Sequence, residues 1–120
     1  MQENDKAVLV YMTFPTPEAA EEVGGALVEA GLAACVNILP AMTSIYVWNG
    51  ARHRDAEAVM IIKTRESLAD TVIAETRRRH PYENPAILLL PVSGGSEPFL
   101  AWILAQTESP APLPEPEPRG

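Results

Sequence analysis

Cysteine and histidine are scarce in this sequence, which contains only Cys35, His53 and His80 among its 120 residues. A single cysteine excludes an intrachain disulfide, and a thiol inside an apolar run indicates a buried small residue in a reducing compartment. The alternative, a nucleophilic Cys35, would need a basic or histidine-lined setting. Two histidines exclude a three-histidine metal site within one chain.

Basic residues are also few, because 9 Lys and Arg stand against 16 Asp and Glu, which gives a net charge of −7. This balance argues against non-specific nucleic-acid binding, since phosphate contacts need a basic patch. No apolar run approaches the ~18 residues that span a bilayer, and the polar, acidic first residues do not resemble a signal peptide. We therefore predict a cytoplasmic protein with no nucleic-acid or membrane partner.

Catalytic signatures are lacking as well. The sequence contains no Walker loop, no dinucleotide fingerprint and no paired-cysteine zinc pattern. This predicts a protein that is not an enzyme and has no organic cofactor, although a catalytic site assembled across subunits would escape the test.

What the sequence does contain is a regular series of strand and helix patterns. Continuous apolar runs are typical of strands buried on both faces, and apolar residues at helical spacing follow Thr16 and Ser67. Ser67 and Asp70 together resemble a capping box. The predicted elements are strands at 7–14, 31–50, 51–64 and 86–92, and helices at 17–30, from about 67 to Pro81, and at 97–106.

The strand at 31–50 is unusually long, since strands usually run about 5–6 residues. Pro40 cannot donate a ladder hydrogen bond, so it should mark a bulge, a bend or an edge. Asn49 and Gly50 favour a type I′ hairpin turn, because both tolerate positive φ. The resulting register pairs Trp48 with Ala51, Tyr46 with His53 and Met42 with Glu57.

Two βαβ units joined by a hairpin predict an α+β fold, a ferredoxin-like βαββαβ sandwich with a long hairpin and a short C-terminal helix. The inner strands are apolar on both faces, so the open face of the sheet needs cover from other copies of the chain. We predict a domain at residues 1–107. Residues 108–120 are rich in proline and glutamate and are predicted to form a disordered tail.

Two titratable residues near helix and strand ends are candidates for binding. A neutral His80 at a helix end could bind a divalent metal with Glu83 as co-ligand, or it could cap the helix and interact with its dipole. Lys63 could face an anionic ligand, or it could pair with Glu57 or another carboxylate.

Aromatic residues of the long hairpin are a further candidate. Trp48 and Tyr46 could line a cleft, or they could anchor an interface between subunits, which is the commoner role of such residues.

Several segments together carry a resemblance to a known family. They are GLAACVNILP at 31–40, TSIYVWNG at 43–50, IIKT at 61–64, HPYENP at 80–85 and LPV at 90–92. The chain resembles the CutA family of divalent-cation tolerance proteins over about residues 8–105. The resemblance implies a ferredoxin-like homotrimer, similar in build to the PII signal proteins, with a role in tolerance of divalent cations and of copper above all.

The resemblance also implies site residues. Some members of the family have a proposed copper site made of a cysteine on the first strand and a His-His pair before Pro-Tyr. The matching positions here are Met12, Arg79 and His80, and Arg79 stays protonated and cannot be a ligand. The candidate metal ligands are therefore His80, Glu83 and Met12. The candidate cleft residues are Lys63, Tyr82, Trp48 and Glu57.

Two hypotheses about function follow. The first is a trimer that binds a metal ion, such as copper or another divalent cation, or a small ligand in clefts between subunits. The second is a PII-like signalling or scaffold module that recognises partner proteins through the hairpin tip at residues 49–55 and needs no metal.

Overall fold

The computed structural model describes residues 4–115 of the chain. Its regular elements lie close to those predicted from the sequence pattern. They are β1 (Ala7–Phe14), α1 (Pro17–Glu29), β2 (Cys35–Trp48), β3 (Ala51–Arg65), α2 (Ala69–Arg79), β4 (Ile87–Pro91) and α3 (Glu97–Gln106). The predicted α+β class is confirmed, with one four-stranded antiparallel sheet and three α-helices among the described residues.

The strands follow the spatial order β2-β3-β1-β4, and each neighbouring pair is antiparallel. β1 and β3 therefore occupy the centre of the sheet, where apolar runs are expected on both faces. β1 pairs along its whole length with β3, from Ala7 opposite Arg65 to Phe14 opposite Ala58. This register brings the end of β1 beside the middle of the long hairpin.

The main core lies between the sheet and helices α1 and α2. Alternate residues of β1 point into it, and Val10, Met12 and Phe14 are fully buried there. Gly24 of α1 permits close packing on the sheet, because a Cβ at this position would lie 2.8 Å from Met60 Sδ. A Cβ at the adjacent Gly25 would have no neighbouring atom within 4 Å, so close packing does not explain this second glycine.

The opposite face of the sheet is only partly covered. α3 packs against one end of it, where Ile103 is buried against Ala7 and Ala34. Towards the other end Leu88 and Leu90 of β4 remain 60% and 40% exposed. This is the open apolar face that the sequence predicts.

The hairpin of β2 and β3 has the predicted turn and register. Asn49 and Gly50 have φ values of 51° and 78°, as a type I′ turn requires. The predicted pairs are all present: Trp48 with Ala51, Tyr46 with His53, and Met42 with Glu57. The pairing shifts between Leu39 and Met42, so the interruption predicted at Pro40, as a bulge, a bend or an edge, is confirmed.

Two local predictions need correction. β2 begins at Cys35 rather than at Gly31, and Cys35 is only half-buried. Ser67 does not form a capping box, because α2 starts at Ala69 without a side-chain cap. Ser67 instead donates its backbone N–H to Asp5 Oδ1 at 3.0 Å, a contact across more than sixty residues of sequence.

The division into a domain at 1–107 and a disordered tail at 108–120 stays a prediction, and residues 116–120 lie outside the described part. Residues 109–115 run along the C-terminal ends of α1 and α2 and form hydrogen bonds with both helices. Within residues 4–115, no helix is long and apolar enough to cross a membrane.

Candidate functional site

A cavity of about 400 Å³ opens between the hairpin, the end of β1 and the segment between α2 and β4. This segment, residues 80–86, is called the connector below. Most of the residues that line it carry an aromatic ring or a carboxylate. Its lining residues are Thr13, Tyr46, Trp48, Asp55, Glu57, Tyr82, Asn84 and Ala86. Three of the four predicted cleft residues, Trp48, Glu57 and Tyr82, therefore meet at one place.

The hairpin supplies one wall of this cavity because side chains at alternate positions share a face. Tyr46 pairs with His53 in the register, and their rings stack at 5.4 Å between centroids. Asp55 is the diagonal neighbour of Tyr46, within reach of a long side chain, and it accepts a hydrogen bond from the Tyr46 hydroxyl. Glu57 follows on the same face.

His80 fixes the connector that supplies the other wall. It is 2% exposed, and its ring stacks on Phe14 at 4.4 Å. Its Nδ1 accepts the backbone N–H of Tyr82 at 3.1 Å, which leaves Nε2–H to donate to the Thr13 carbonyl at 2.6 Å. The imidazole thus ties the connector to the end of β1 and sets the direction of Tyr82.

Tyr82 then joins the two walls. Its hydroxyl donates to Glu57 Oε2 at 3.2 Å. Burial, together with the charge and hydrogen bond of Glu57, raises the pKa of Tyr82 to about 12. The hydrogen bond to Asp55 similarly raises the pKa of Tyr46. Both phenols are therefore neutral donors at physiological pH, and each is bonded to a carboxylate.

The predicted metal ligands do not come together. Both ring nitrogens of His80 face backbone groups, so a metal could bind only if one of these hydrogen bonds broke. Met12 is fully buried in the main core, whereas Glu83 is exposed. Among residues 4–115, no group of three or more His, Cys, Asp or Glu side chains could hold a metal ion. The copper site implied by the resemblance does not fit this arrangement.

Lys63 also lies away from the cavity. Its ammonium sits 5.3 Å from the centre of the Phe99 ring on α3, a cation–π arrangement. Lys63 and Glu57 belong to the same strand and are six residues apart, which corresponds to about 20 Å. The two side chains therefore do not meet within one chain, and the position of Lys63 gives no support to a role in the cleft.

Sequence reasoning missed Asp55, Asn84, Thr13 and Ala86. Asp55 could have been found, because the predicted register already places it diagonally opposite Tyr46. The others reach the cavity only through the contact between the connector and β1, and that contact depends on the buried ring of His80.

Comparison with known proteins assigns the family. The chain matches the family described as CutA1 divalent ion tolerance protein over residues 8–106. The chain belongs to the CutA1 family.

Individual relatives agree with this assignment. Protein CutA 1, chloroplastic, from Oryza sativa is 41% identical over 101 residues, which cover 84% of this chain and 57% of that protein. Divalent-cation tolerance protein CutA from Thermus thermophilus is 38% identical over 99 residues, which cover 82% of this chain and 96% of that protein. The chain spans less than two thirds of the plant and mammalian CutA proteins that it matches.

Solved CutA structures share the fold. The structure of the periplasmic divalent cation tolerance protein CutA from Archaeoglobus fulgidus matches with a TM-score of 0.81 at 36% identity. The match covers 84% of this chain and 98% of that one. The resemblance to the CutA family predicted from sequence segments is thereby confirmed.

Proposed function

We propose that this CutA1-family chain acts in divalent-cation tolerance as a cytoplasmic, non-enzymatic homotrimer of ferredoxin-like subunits. It binds a metal ion or a small ligand in clefts between subunits. The observation that carries the proposal is the cavity beside the hairpin, where Asp55 and Glu57 face the aromatic rings of Tyr46, Trp48 and Tyr82. The names of the relatives, which refer to divalent-cation tolerance, support the general role.

Exposed apolar surface supports the assembly. At the hairpin tip Ile45 and Val47 are 56% and 69% exposed on one face, and Trp48 is 57% exposed on the other. Large apolar side chains exposed in this way mark interaction sites. Among residues 4–115, no further strand lies beside the outer edge of β2, and an exposed edge favours pairing with another chain. A neighbouring subunit that packs here would close the open side of the cavity.

The chemistry of the cavity favours a positively charged ligand. Carboxylate oxygens are suitable ligands for divalent cations, and aromatic faces attract cations. Two carboxylates leave most of a metal's coordination sphere unfilled, so a neighbouring subunit or the ligand itself would supply the rest. Asp55 and Glu57 replace His80, Glu83 and Met12 as the groups that we expect to contact the cation.

Calorimetric titration with Zn(II) and Cu(II) tests this proposal. We expect binding to the unaltered chain and a loss of affinity of about tenfold in Glu57→Gln, since a hydrogen bond or contact to a charged group contributes about 1.5–3 kcal/mol. Asp55→Asn should behave alike, and Glu83→Gln, which removes an exposed carboxylate outside the cavity, is the matched control. Equal binding by Glu57→Gln and the unaltered chain would overturn the assignment, and so would the absence of binding.

Light scattering on the same samples checks the assembly. We expect a mass about three times the 13.0 kDa of the chain. A monomer in dilute solution would remove the basis for a cleft between subunits.

A PII-like signalling or scaffold module is the second candidate. It is favoured by the exposed hairpin tip together with the lack of a three-ligand metal cluster among the described residues. A pull-down that compares the unaltered chain with a chain shortened at residues 49–55 separates the two proposals. Retention of partners by the shortened chain would count against this candidate.

A further inference from the structure

The C-terminal segment at residues 109–115, here called the strap, follows the last helix and lies beyond the family match, which ends at residue 106. Its path crosses the C-terminal ends of α1 and α2, on the helical side of the molecule. Neither the cavity nor the hairpin involves any residue of the strap. Its contacts therefore need an explanation that is independent of the ligand site.

The first contact of the strap is a hydrogen bond to a carbonyl group at the C-terminal end of α1. The last carbonyl groups of a helix lack partners within the helix, and here the Ala111 N–H donates to the Ala30 carbonyl at 2.7 Å. The strap crosses directly over Gly31, whose φ is +73°. A Cβ at Gly31 would lie 3.5 Å from the Ser109 carbonyl oxygen, so a side chain at this position would pack directly against the strap.

Leu113 gives the strap an apolar anchor. It is half-buried and packs against the main hydrophobic core. Its neighbours Pro112 and Pro114 are exposed. The leucine side chain therefore packs against the core, while the prolines on both sides stay at the surface.

The last turn of α2 supplies the charged contacts. Arg79 has a side chain only 10% exposed, and its guanidinium bonds to the Glu75 side chain, to the Glu75 carbonyl at 3.1 Å and to the Pro114 carbonyl. Arg78 pairs with Glu115 at 2.9 Å. Glu115 is 84% exposed at its side chain, so solvent and salt weaken this second contact.

The composition of the strap suits such a docking site. Prolines at alternate positions hold the chain extended before it docks, which reduces the entropy lost on binding. Extended proline-rich segments are commonly recognised in grooves by an apolar pocket together with polar contacts to the backbone. Here the pocket takes Leu113, and Ala30 and Arg79 bind the backbone.

From these contacts we propose that the ends of α1 and α2 form a recognition groove for an extended, acidic, proline-rich peptide with a leucine anchor. The chain fills this groove with its own strap, which acts as an internal ligand. The same groove binds the same segment supplied as a free peptide once the anchor of the internal strap is removed.

Hydrogen exchange of the Ala111 amide in the full chain tests occupancy of the groove. We expect exchange at least about tenfold slower than at the same amide in a free peptide of residues 108–115, since this amide exchanges only when the strap opens. In Leu113→Ser the rate should rise to within about twofold of the free peptide. The amides of Val10 and Met12 in β1 should keep their protection and so report an intact fold.

A free peptide of residues 108–115 carrying a fluorescent label tests recognition. We expect Leu113→Ser full chain to bind it at least about fivefold more tightly than the unaltered chain, whose groove is occupied. A peptide with serine in place of its leucine should lose this binding. Arg78→Gln should weaken peptide binding to the Leu113→Ser chain at low salt, and Arg77→Gln, which removes the same charge without an ion pair to the strap among the described residues, should not.

Three results would overturn the proposal. They are exchange of Ala111 in the unaltered chain at the free-peptide rate, equal binding of the leucine and serine peptides, and protection of Ala111 that increases with protein concentration. The last of these would mean that the strap of a second copy occupies the groove.

Discussion

Two places on β3 take part in carboxylate networks, and the two networks differ in the partner that the carboxylate meets. At the C-terminal end of the strand Arg65 pairs with Asp5, and near its middle Glu57 accepts a hydrogen bond from Tyr82. One partner is a cation and the other is a neutral phenol. The comparison separates a carboxylate that holds the fold together from a carboxylate that remains available to a ligand.

The Asp5 network is buried and fully paired. The side chains of Arg65 and Asp5 are 4% and 3% exposed, with 3.1 Å between their charged atoms. Arg65 Nε donates to Thr107 at 3.0 Å, and a second nitrogen donates to the Leu104 carbonyl. The network thereby joins the N-terminal segment to β3, to the start of α2 and to the end of α3.

The Glu57 network lacks such a cation. Among residues 4–115, neither Glu57 nor Asp55 forms an ion pair. Arg52 and Arg54 pair with Val47 and Ile45, which lie on the opposite face of the hairpin from Glu57. The negative charge therefore faces the cavity, and we interpret this difference as the mark of a binding site.

Removal of the Asp5 carboxylate should have the largest effect. Breaking a buried ion pair leaves the other charge without compensation, so Asp5→Ala should lower the free energy of unfolding by about 3 kcal/mol. Glu57→Gln should change it by less than about 1 kcal/mol, because no buried cation is left behind. Urea denaturation at pH 7 measures both. Similar losses in the two variants would contradict the distinction between the networks.

The second-largest expected effect is the loss of the stabilisation by Asp5 at acid pH. Burial acts to raise the pKa of Asp5, but hydrogen bonds from Ser67 and Arg65 and the Arg65 charge outweigh it and hold the pKa below 3.8. Because the folded pKa is the lower one, the stabilisation is present above pH 3.8 and is lost as pH falls through the folded pKa.

Urea denaturation at several pH values measures this loss. We expect stability to fall more steeply below about pH 4 in the unaltered chain than in Asp5→Asn, because protonation of Asp5 removes its ion pair with Arg65 and weakens its hydrogen bonds. Glu83→Gln, which changes an exposed carboxylate, should follow the unaltered chain. Parallel curves of unfolding free energy against pH for the unaltered chain and Asp5→Asn would show that protonation of Asp5 does not cause the loss of stability in acid.

The contrast between the networks also explains what could be predicted from the sequence. The hairpin is local, because Asn49, Gly50 and the alternation around them determine both the turn and the register. Asp55 and Glu57 follow directly from that register. The wall around Glu57 was therefore within reach of sequence reasoning.

The Asp5 network was not within that reach. Asp5 and Ser67 meet through the pairing of β1 with β3, and the capping box predicted from Ser67 and Asp70 fails because Asp5 takes the place of the local cap. His80 occupies the C-cap position of α2, as one of its two predicted roles requires, but the contacts of its ring were missed for a similar reason. A histidine before Pro81 suggests a ligand, but the stacking on Phe14 that buries it depends on the end of a distant strand.

The ionisation of Tyr82 gives the smallest effect and the sharpest test of the Glu57 network. Its pKa is raised to about 12 by burial and by Glu57. Because the folded pKa is the higher one, the associated stabilisation is present below pH 10 and is lost as pH rises from about 10 to about 12. Tyr82→Phe should reduce the late phase of an absorbance titration of the phenolates, and Tyr46, whose pKa is also raised, accounts for any part that remains.

Glu57→Gln should shift this late phase towards lower pH, by roughly one unit, because the charge that opposes phenolate formation is gone. Tyr11→Phe is the control, since the Tyr11 hydroxyl contacts Met42 Sδ at 3.7 Å rather than a carboxylate. If the late phase survives Glu57→Gln unchanged, the raised pKa of Tyr82 is due to burial and to the neighbouring Asp55 and Tyr46 rather than to Glu57. The carboxylate would then contribute little field inside the cavity, and the proposed attraction of a cation to this site would lose its main support.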